Sequence, residues 1–164
     1  MSDTQLNQGV GDSESASPPF LPPRNRMALA ILALVGFLVA LYMLAYALGF
    51  TGSVICGVGN CEAVQNSPYA WIGSFPVAGF GTLGYLALLI LSFLGLQPGS
   101  RRSRLIPAGL FFGGIMGVGV SAYLTYLEAF VIHAWCQWCV ASAIIMVLAF
   151  MASLPELRRM GESE

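Results

Sequence analysis

The sequence predicts an all-α integral membrane protein: a bundle of four transmembrane helices with a cysteine-bearing external loop between helices 1 and 2. Of the 164 residues, 57% are hydrophobic and 9% are charged, whereas soluble domains contain about 25% charged residues. The apolar residues form four blocks, 27–50, 76–96, 106–132 and 136–154, and each exceeds the roughly 18 residues that indicate a membrane helix. A water-soluble chain of this length cannot bury four such helices, so one membrane domain is expected.

The distribution of arginine predicts the orientation of these helices. All the basic residues are arginines, and they lie before the first block, between the second and third, or after the fourth. Positive residues mark the cytoplasmic side of a membrane protein. Both termini are therefore predicted to be cytoplasmic, residues 51–75 and 133–135 form the external connections, and the protein crosses the cell (inner or plasma) membrane four times.

The two ends of the chain are predicted to be tails. Residues 1–25 are rich in Ser, Pro, Gln and acidic residues, which is typical of a disordered segment. The membrane domain then covers 26–157, and 158–164 form a second cytoplasmic tail. A different interpretation is a secretory signal, because Ala45-Tyr46-Ala47 matches a small-x-small cleavage site, but cleavage there removes one helix of the bundle. The net charge of −1 argues against nucleic acid as a partner. Membrane lipid is the expected surrounding of the four apolar blocks.

Small residues on helix 3 predict close packing. Gly109, Gly113 and Gly117 are spaced four apart, which forms a small-xxx-small face. The simple interpretation is close contact with a neighbouring helix. The same missing side chains also leave room for a flat ligand, and the two interpretations are compatible.

The sharpest chemical motif is the pair Cys136 and Cys139, which opens helix 4 with the spacer Gln137-Trp138. Two sulfurs at this spacing can close a small ring, as in thiol-disulfide oxidoreductases. They share one face of the first helical turn, where the positive end of the helix dipole stabilises a thiolate. A static disulfide is the alternative, but a bridge between residues three apart restrains little chain.

The second pair, Cys56 and Cys61, encloses the segment Gly57-Val58-Gly59-Asn60. Glycine and asparagine tolerate left-handed backbone angles, so this loop can open or close at modest cost. A fixed disulfide and a mobile shuttle are equally compatible with the loop alone. The second pair on the same membrane face favours the shuttle.

The residues alone leave two alternative functions open. The first is a non-catalytic membrane subunit whose disulfides brace its outer face. The second is a metal-binding membrane protein, because four cysteines in two close pairs can bind zinc. Metal binding ranks lower because one pair is part of a membrane helix, and no metal ligands are assigned.

Three further side chains are candidates for supporting roles. His133, the only histidine, precedes Cys136 by three residues and is either a proton carrier or a surface side chain. Glu128 is an ionisable group near the outer end of helix 3, which suggests function unless the side chain reaches the lipid headgroups. Trp138 belongs either to an interfacial aromatic belt or to a quinone site.

The order of these motifs resembles the vitamin K epoxide reductase family, in particular its bacterial homologues, from helix 1 to the end of helix 4. A loop cysteine pair follows helix 1, and Ser67 lies six residues beyond Cys61. Phe75-Pro76 and Gly79-Phe80-Gly81 then lead into helix 2, before the pair that opens helix 4. The segments 61–69 and 136–143 look much like those of the family. The DsbB oxidases also have four helices, but they place the pair with the two-residue spacer first.

The resemblance implies an electron relay. A reduced thioredoxin-like (DsbA-like) protein on the external face gives two electrons to the loop pair, with Cys56 facing that protein. Cys61 exchanges with Cys136, and Cys139 reduces a membrane quinone, either ubiquinone or menaquinone. Because many relatives carry a fused thioredoxin-like domain and this sequence ends at Glu164, the partner is expected to be a separate protein.

The resemblance also implies a set of quinone contacts. Ser67 supports the site, and Trp138, Phe80 and Cys139 contact the quinone. In the animal enzyme, an asparagine before helix 2 and a tyrosine after the second motif cysteine hydrogen-bond the quinone; Val77 and Ala143 align with them here. This departure favours plain quinone reduction over epoxide reduction.

Overall fold

The computed structural model describes residues 24–97 and 105–161. Within these ranges, four helices are long and apolar enough to cross a membrane: Asn25–Ala47, Val77–Leu96, Leu105–Ile132 and Gln137–Pro155. The predicted four-helix membrane architecture is confirmed. The predicted tail 1–25 falls almost wholly outside the described residues, as do Arg101, Arg102 and Arg104. Of the second predicted tail, residues 158–161 continue the last helix and 162–164 lie outside the described residues.

The bundle contains helices α1 (Arg24–Ala47), α3 (Val77–Leu96), α4 (Leu105–Leu127) and α5 (Gln137–Gly161). Helix α1 packs against α3 and α5, and α4 packs against the same two helices. Each spanning helix therefore has two neighbours, and the four close into a ring.

The first spanning helix is shorter than its apolar block because a glycine ends it. Gly49 adopts a left-handed φ of +79°. The backbone N–H groups of Gly49 and Phe50 then donate to the carbonyl groups of Tyr46 and Ala45, each at 2.9 Å. This is the geometry of a Schellman cap, which turns residues 48–50 out of the helix and into the external segment.

The segment between α1 and α3 contains secondary structure that the sequence did not predict. A short helix α2 (Cys61–Gln65) is followed by a 3₁₀ turn (Pro68–Ala70) and by strands β1 (Trp71–Ile72) and β2 (Phe75–Pro76). The strands pair in antiparallel fashion, with Trp71 opposite Pro76. Asn60 caps α2, because its side-chain oxygen accepts from the N–H of Ala63 at 3.0 Å.

The glycines of α4 provide close helix contact, as predicted. A Cβ atom built at Gly117 lies 2.5 Å from the Met146 sulfur on α5. A Cβ atom at Gly113 lies 3.1 Å from the Leu88 side chain on α3. Interiors are packed too densely to absorb such contacts. The core beside them is apolar and is formed by Leu29, Ala33, Ala40, Tyr85, Leu88, Leu110, Met146 and Ala149.

A second buried cluster lies at the end of the bundle where α5 begins. Its buried members are Met43 on α1, Cys61 and Val64 on α2, and Cys136 at the start of α5. The loop cysteine and the helix cysteine therefore share one apolar cluster, which defines the region of the candidate site.

Candidate functional site

The loop pair forms a disulfide with unequal exposure at its two ends. Cys56 and Cys61 are bonded, with their Cα atoms 6.0 Å apart. Cys61 is 0% exposed, whereas Cys56 is partly exposed. The backbone N–H of Cys61 also donates to the Cys56 sulfur at 3.3 Å. A protein that approaches from outside therefore meets Cys56 first, while Cys61 faces the interior.

A backbone bridge holds this loop against the start of α5. Gly59 pairs with Cys136 in an isolated antiparallel bridge, and the N–H of Asn60 donates to the Trp135 carbonyl at 2.8 Å. Gly59 has a φ of +89°, and a Cβ atom there collides with the Trp135 carbonyl oxygen. Only glycine combines an easily adopted positive φ with the absence of a Cβ atom. The close approach of the two cysteine pairs therefore depends on Gly59.

The spacer residue Gln137 ties the loop to the helix a second time. Its side-chain oxygen accepts from the N–H groups of Gly57 and Val58, at 3.0 and 2.9 Å. These two residues directly follow Cys56. The spacer of the helix motif therefore fixes the backbone of the loop motif.

Trp138 makes a third connection, on the other side of Cys56. Its ring N–H donates to the Ile55 carbonyl at 2.8 Å, and the Ile55 N–H donates to the Tyr42 hydroxyl at 3.0 Å. The Tyr42 and Trp138 rings pack edge to face with centroids 5.3 Å apart. Both backbone segments beside Cys56 are thus bound to residues of the bundle.

The helix pair consists of two free thiols. Cys136 is 0% exposed and immediately precedes α5, where the helix dipole favours a negative charge. The hydrogen bond from the Cys139 thiol lowers the pKa of Cys136 below its usual value, against the opposing effect of burial. Since the thiolate is the attacking species in disulfide exchange, Cys136 is suited to attack the loop disulfide or to leave from a bond with it.

Cys139 lines a cavity on the inner side of the site. The cavity has a volume of about 120 Å³, and its walls come from α1, α2, α3, α4 and α5. Ser67, Val77 and Trp138 are also part of the lining. The volume is comparable with the roughly 150 Å³ of an apolar cavity that binds benzene, so the space suits the ring of a flat apolar molecule.

Of the predicted site residues, Phe80 lies apart. It is 53% exposed and does not line the cavity, although its neighbours on α3, Ala78 and Gly81, do. Ala143 lies in the wall of a different cavity, beside Val118 and Val147. The four cysteines, Ser67 and Trp138 are brought together.

Ser67 has a structural contact at the cavity. Its side chain is buried, and its hydroxyl donates to the Val64 carbonyl at 2.7 Å. This bond closes the turn that follows α2. Ser67 therefore fixes the segment that carries Cys61 while it lines the same cavity as Cys139.

Gln65 and Gln137 contact the site but were not assigned roles from the sequence. The Gln65 side-chain nitrogen lies 3.9 Å from the Cys139 sulfur and donates to the Met43 sulfur at 3.3 Å. In the sequence, only the positions of these glutamines indicate a role: Gln65 lies one helical turn after Cys61, and Gln137 lies within the cysteine motif. Position does not identify the groups that each side chain contacts, because those groups are distant in sequence.

His133 and Glu128 occupy different environments. His133 is exposed and adopts a left-handed φ of 55°, with its ring Nδ1 3.2 Å from the Val131 carbonyl. Glu128 is 2% exposed, and its carboxyl oxygen accepts from the backbone N–H of Cys136 at 3.1 Å. Glu128 therefore belongs to the site and does not extend to the lipid headgroups.

No cluster of three or more His, Cys, Asp or Glu side chains suited to a metal ion occurs among residues 24–97 and 105–161. The loop pair is oxidised and the helix pair carries free thiols. An arrangement with one disulfide beside two thiols is the starting geometry for thiol-disulfide exchange.

Comparison with known families agrees with this chemistry. The model of the vitamin K epoxide reductase family matches residues 27–154, which cover the four spanning helices and both cysteine pairs. This match confirms the resemblance inferred from the order of the motifs. The chain belongs to the vitamin K epoxide reductase family, a family of membrane thiol-disulfide oxidoreductases.

Proposed function

We propose that this protein is a quinone-linked oxidase that generates disulfide bonds. Electrons pass from a reduced thioredoxin-like protein to the loop pair, then to the helix pair, and finally to a membrane quinone. One observation carries the proposal: the bridge between Gly59 and Cys136 joins the loop disulfide to a helix pair whose second sulfur lines an apolar cavity.

The outer step is proposed to begin at Cys56. A thiolate of the partner attacks this partly exposed sulfur and releases Cys61. A second thiol of the partner then resolves the mixed disulfide. The partner leaves oxidised, and Cys56 and Cys61 hold the two electrons as thiols.

The inner step joins the two pairs. Cys61 attacks an oxidised helix pair at Cys136, and Cys139 leaves as a thiol. Cys56 then attacks Cys61, which restores the loop disulfide and leaves the helix pair reduced. The shared buried cluster of Cys61 and Cys136 supports this route, because exchange requires contact between sulfurs.

The cavity at Cys139 supports the final step. A bound quinone accepts two electrons and two protons and becomes a quinol. The apolar lining accommodates its ring, and Gln65 and Ser67 add polar groups at the wall. Val77 offers no side-chain hydrogen bond there, which supports plain quinone reduction without epoxide chemistry.

The arginine distribution supports an orientation in which this site faces outward. Both termini are then cytoplasmic, and the loop pair meets a separate thioredoxin-like protein outside the membrane. That compartment permits disulfides to persist.

A reconstituted assay tests the proposed function. Purified protein is mixed with a reduced thioredoxin-like protein and a short-chain ubiquinone or menaquinone analogue, and quinol formation and partner oxidation are followed together. We expect the two to appear in equal amounts, with Cys56→Ala losing the use of the protein partner. Partner oxidation without quinol formation, or no oxidation of any thioredoxin-like protein, contradicts the proposal.

A further inference from the structure

Glu128 is a buried carboxyl group that the electron relay does not use. It begins the π-helical turn Glu128–Ile132 at the end of α4 and is 2% exposed. It accepts from the Cys136 N–H, interacts with the Cys139 thiol, and lines the same cavity as Cys139. A carboxyl group in such a position contacts both members of the helix pair.

Holding the start of α5 does not require this residue type. The hydrogen bond to Cys136 is one that an amide or hydroxyl oxygen makes equally well. A buried ionisable group is costly in a membrane segment, and such groups usually belong to ion or proton pathways. The choice of Glu over Gln at position 128 therefore points to a function that involves a proton.

We propose that Glu128 is the proton acceptor for Cys139 and carries that proton into the cavity. The role rests on the proposed function, because the oxidant is the quinone that takes electrons from the helix pair. Cys139 is the third residue of α5, whereas Cys136 immediately precedes the helix. Both thiols are near the helix start, but Cys139 also has a carboxyl base beside it that can take its proton.

The atoms balance in the following way. The Cys139 S–H bond breaks and its proton moves to the Glu128 carboxylate. A Cys136–Cys139 disulfide forms, and two electrons leave to the quinone. Glu128 releases this proton into the cavity. Cys136 reacts as the thiolate, its own proton having gone to solvent, and the second proton of the quinol comes from solvent. Glu128 ends ionised, as it began, and quinol carries two electrons and two protons.

Other titratable groups near Glu128 are less suited to this role. Within the described part of the chain, Glu62, Tyr69 and His133 are exposed, and the Tyr42 hydroxyl is hydrogen-bonded to Ile55. Tyr69 is also part of the cavity wall. Tyrosine is a weak base near neutral pH. Glu128 is the remaining carboxyl group at the thiol.

A quinone-free experiment tests the proton transfer directly. Cys139 is made the only thiol by Cys56→Ala, Cys61→Ala and Cys136→Ala, and its alkylation by iodoacetamide is measured against pH. Transfer of a proton from Cys139 to Glu128 leaves the total number of protons bound to the two groups unchanged. The fraction of Cys139 present as thiolate, which sets the alkylation rate, is therefore expected to be independent of pH over the range in which the two groups together hold one proton.

Glu128→Gln in this background is the decisive comparison, because it keeps an acceptor for the Cys136 N–H. Cys139 then loses its proton to solvent, and the alkylation rate rises about tenfold per pH unit. Glu62→Gln removes the same charge from an exposed site beside the loop and should keep the pH-independent range. Equal pH dependence with Glu and Gln at position 128 overturns the proposal.

A second measurement separates this role from the proposed function. With all cysteines present, single-turnover quinone reduction by the chemically reduced protein should slow by on the order of 10²-fold or more in Glu128→Gln. Exchange between the two cysteine pairs should stay within a few-fold. Equal slowing of both reactions indicates a structural role and overturns the proposal. If the parent protein reduces no quinone but retains the pH-independent alkylation, the quinone assignment fails and the proton acceptor stands.

Discussion

The two cysteine pairs lie side by side but are built differently. The loop pair is a closed disulfide in a glycine-containing turn, held by hydrogen bonds between the backbone around it and Gln137, Trp135 and Trp138. The helix pair carries free thiols on a rigid helix, beside a carboxyl group and a cavity. The proposed function assigns exchange with proteins to the loop pair and exchange with a small acceptor to the helix pair.

This difference indicates a division of labour. Backbone hydrogen bonds can be broken and remade as the loop changes redox state, so the loop suits a shuttle. A thiol on a spanning helix cannot follow a partner, but its surroundings can fix its charge and proton supply. The proposed relay therefore depends on the contact between Gly59 and Cys136, where the two pairs meet.

The largest expected effect separates the pairs by electron donor. With a thioredoxin-like protein as donor, alanine at any of the four cysteines should abolish quinone reduction, by more than about 10³-fold, because the nucleophile itself is lost. With dithiothreitol as donor, Cys56→Ala should retain turnover, since a small thiol can reduce the helix pair directly. Quinol formation with both donors provides the measurement.

Loss of activity with dithiothreitol in Cys56→Ala contradicts the division between the pairs, unless the variant fails to fold. Retention of the free Cys136 and Cys139 thiols, measured by alkylation and mass spectrometry, controls for folding.

A second effect concerns the protonation of Cys136. The hydrogen bond from Cys139 lowers the pKa of Cys136, so the Cys136 thiolate should persist below the pH at which an ordinary thiol protonates. As pH falls through this pKa, attack on a disulfide should decrease about tenfold per pH unit. In a Cys56→Ala, Cys61→Ala background, the ultraviolet absorbance of the thiolate gives the midpoint.

Two substitutions at position 139 sharpen this test. Cys139→Ser keeps a hydroxyl donor and should keep the low midpoint, whereas Cys139→Ala removes the donor and should raise the midpoint toward that of an ordinary thiol. Identical midpoints in the two variants would show that the hydrogen bond does not control Cys136.

The smallest expected effect concerns the two hydrogen bonds by which Gln137 holds the loop. Gln137→Ala removes the acceptor for two backbone N–H groups, and each hydrogen bond contributes about 0.5–1.5 kcal/mol. Because about 1.4 kcal/mol corresponds to a factor of ten, exchange between the pairs should slow by about tenfold. Stopped-flow exchange between a prereduced loop and an oxidised helix pair measures this rate. Gln97→Ala, at the C-terminal end of α3 and far from the loop in sequence, is the control and should leave the exchange rate unchanged. An unchanged exchange rate in Gln137→Ala contradicts a role for the Gln137 hydrogen bonds in holding the loop.

Hydropathy was sufficient to predict the four spanning helices, because the length of an apolar block determines whether it can span a membrane. The orientation that arginine placement indicates stays a prediction. The segment between α1 and α3 was predicted only as a loop. Helix α2 and the two-residue strands are too short to have a clear period. Tertiary contacts hold them in place: α2 packs against the π-helical turn, and β2 packs against α3.

The candidate site was predicted in part. Cysteine spacing identifies the two pairs because sulfur chemistry depends on local spacing. The contacts of Gln65, Gln137 and Glu128 depend on tertiary docking, which no local pattern encodes. Phe80 is the reverse case. The motif that contains it lies near the site, but its side chain is exposed and does not line the cavity.

The most direct test of the relay is the disulfide that forms when its last sulfur is removed. In Cys139→Ala, Cys136 should attack the loop disulfide at Cys61 and release Cys56, and Cys139 is no longer present to resolve the new bond from the side of Cys136. Mass spectrometry of the protein, digested without reductant, should show the Cys61 peptide joined to the Cys136 peptide. A Cys56–Cys136 bond would reverse the roles of the loop cysteines, and finding only the closed Cys56–Cys61 loop would contradict electron transfer between the two pairs.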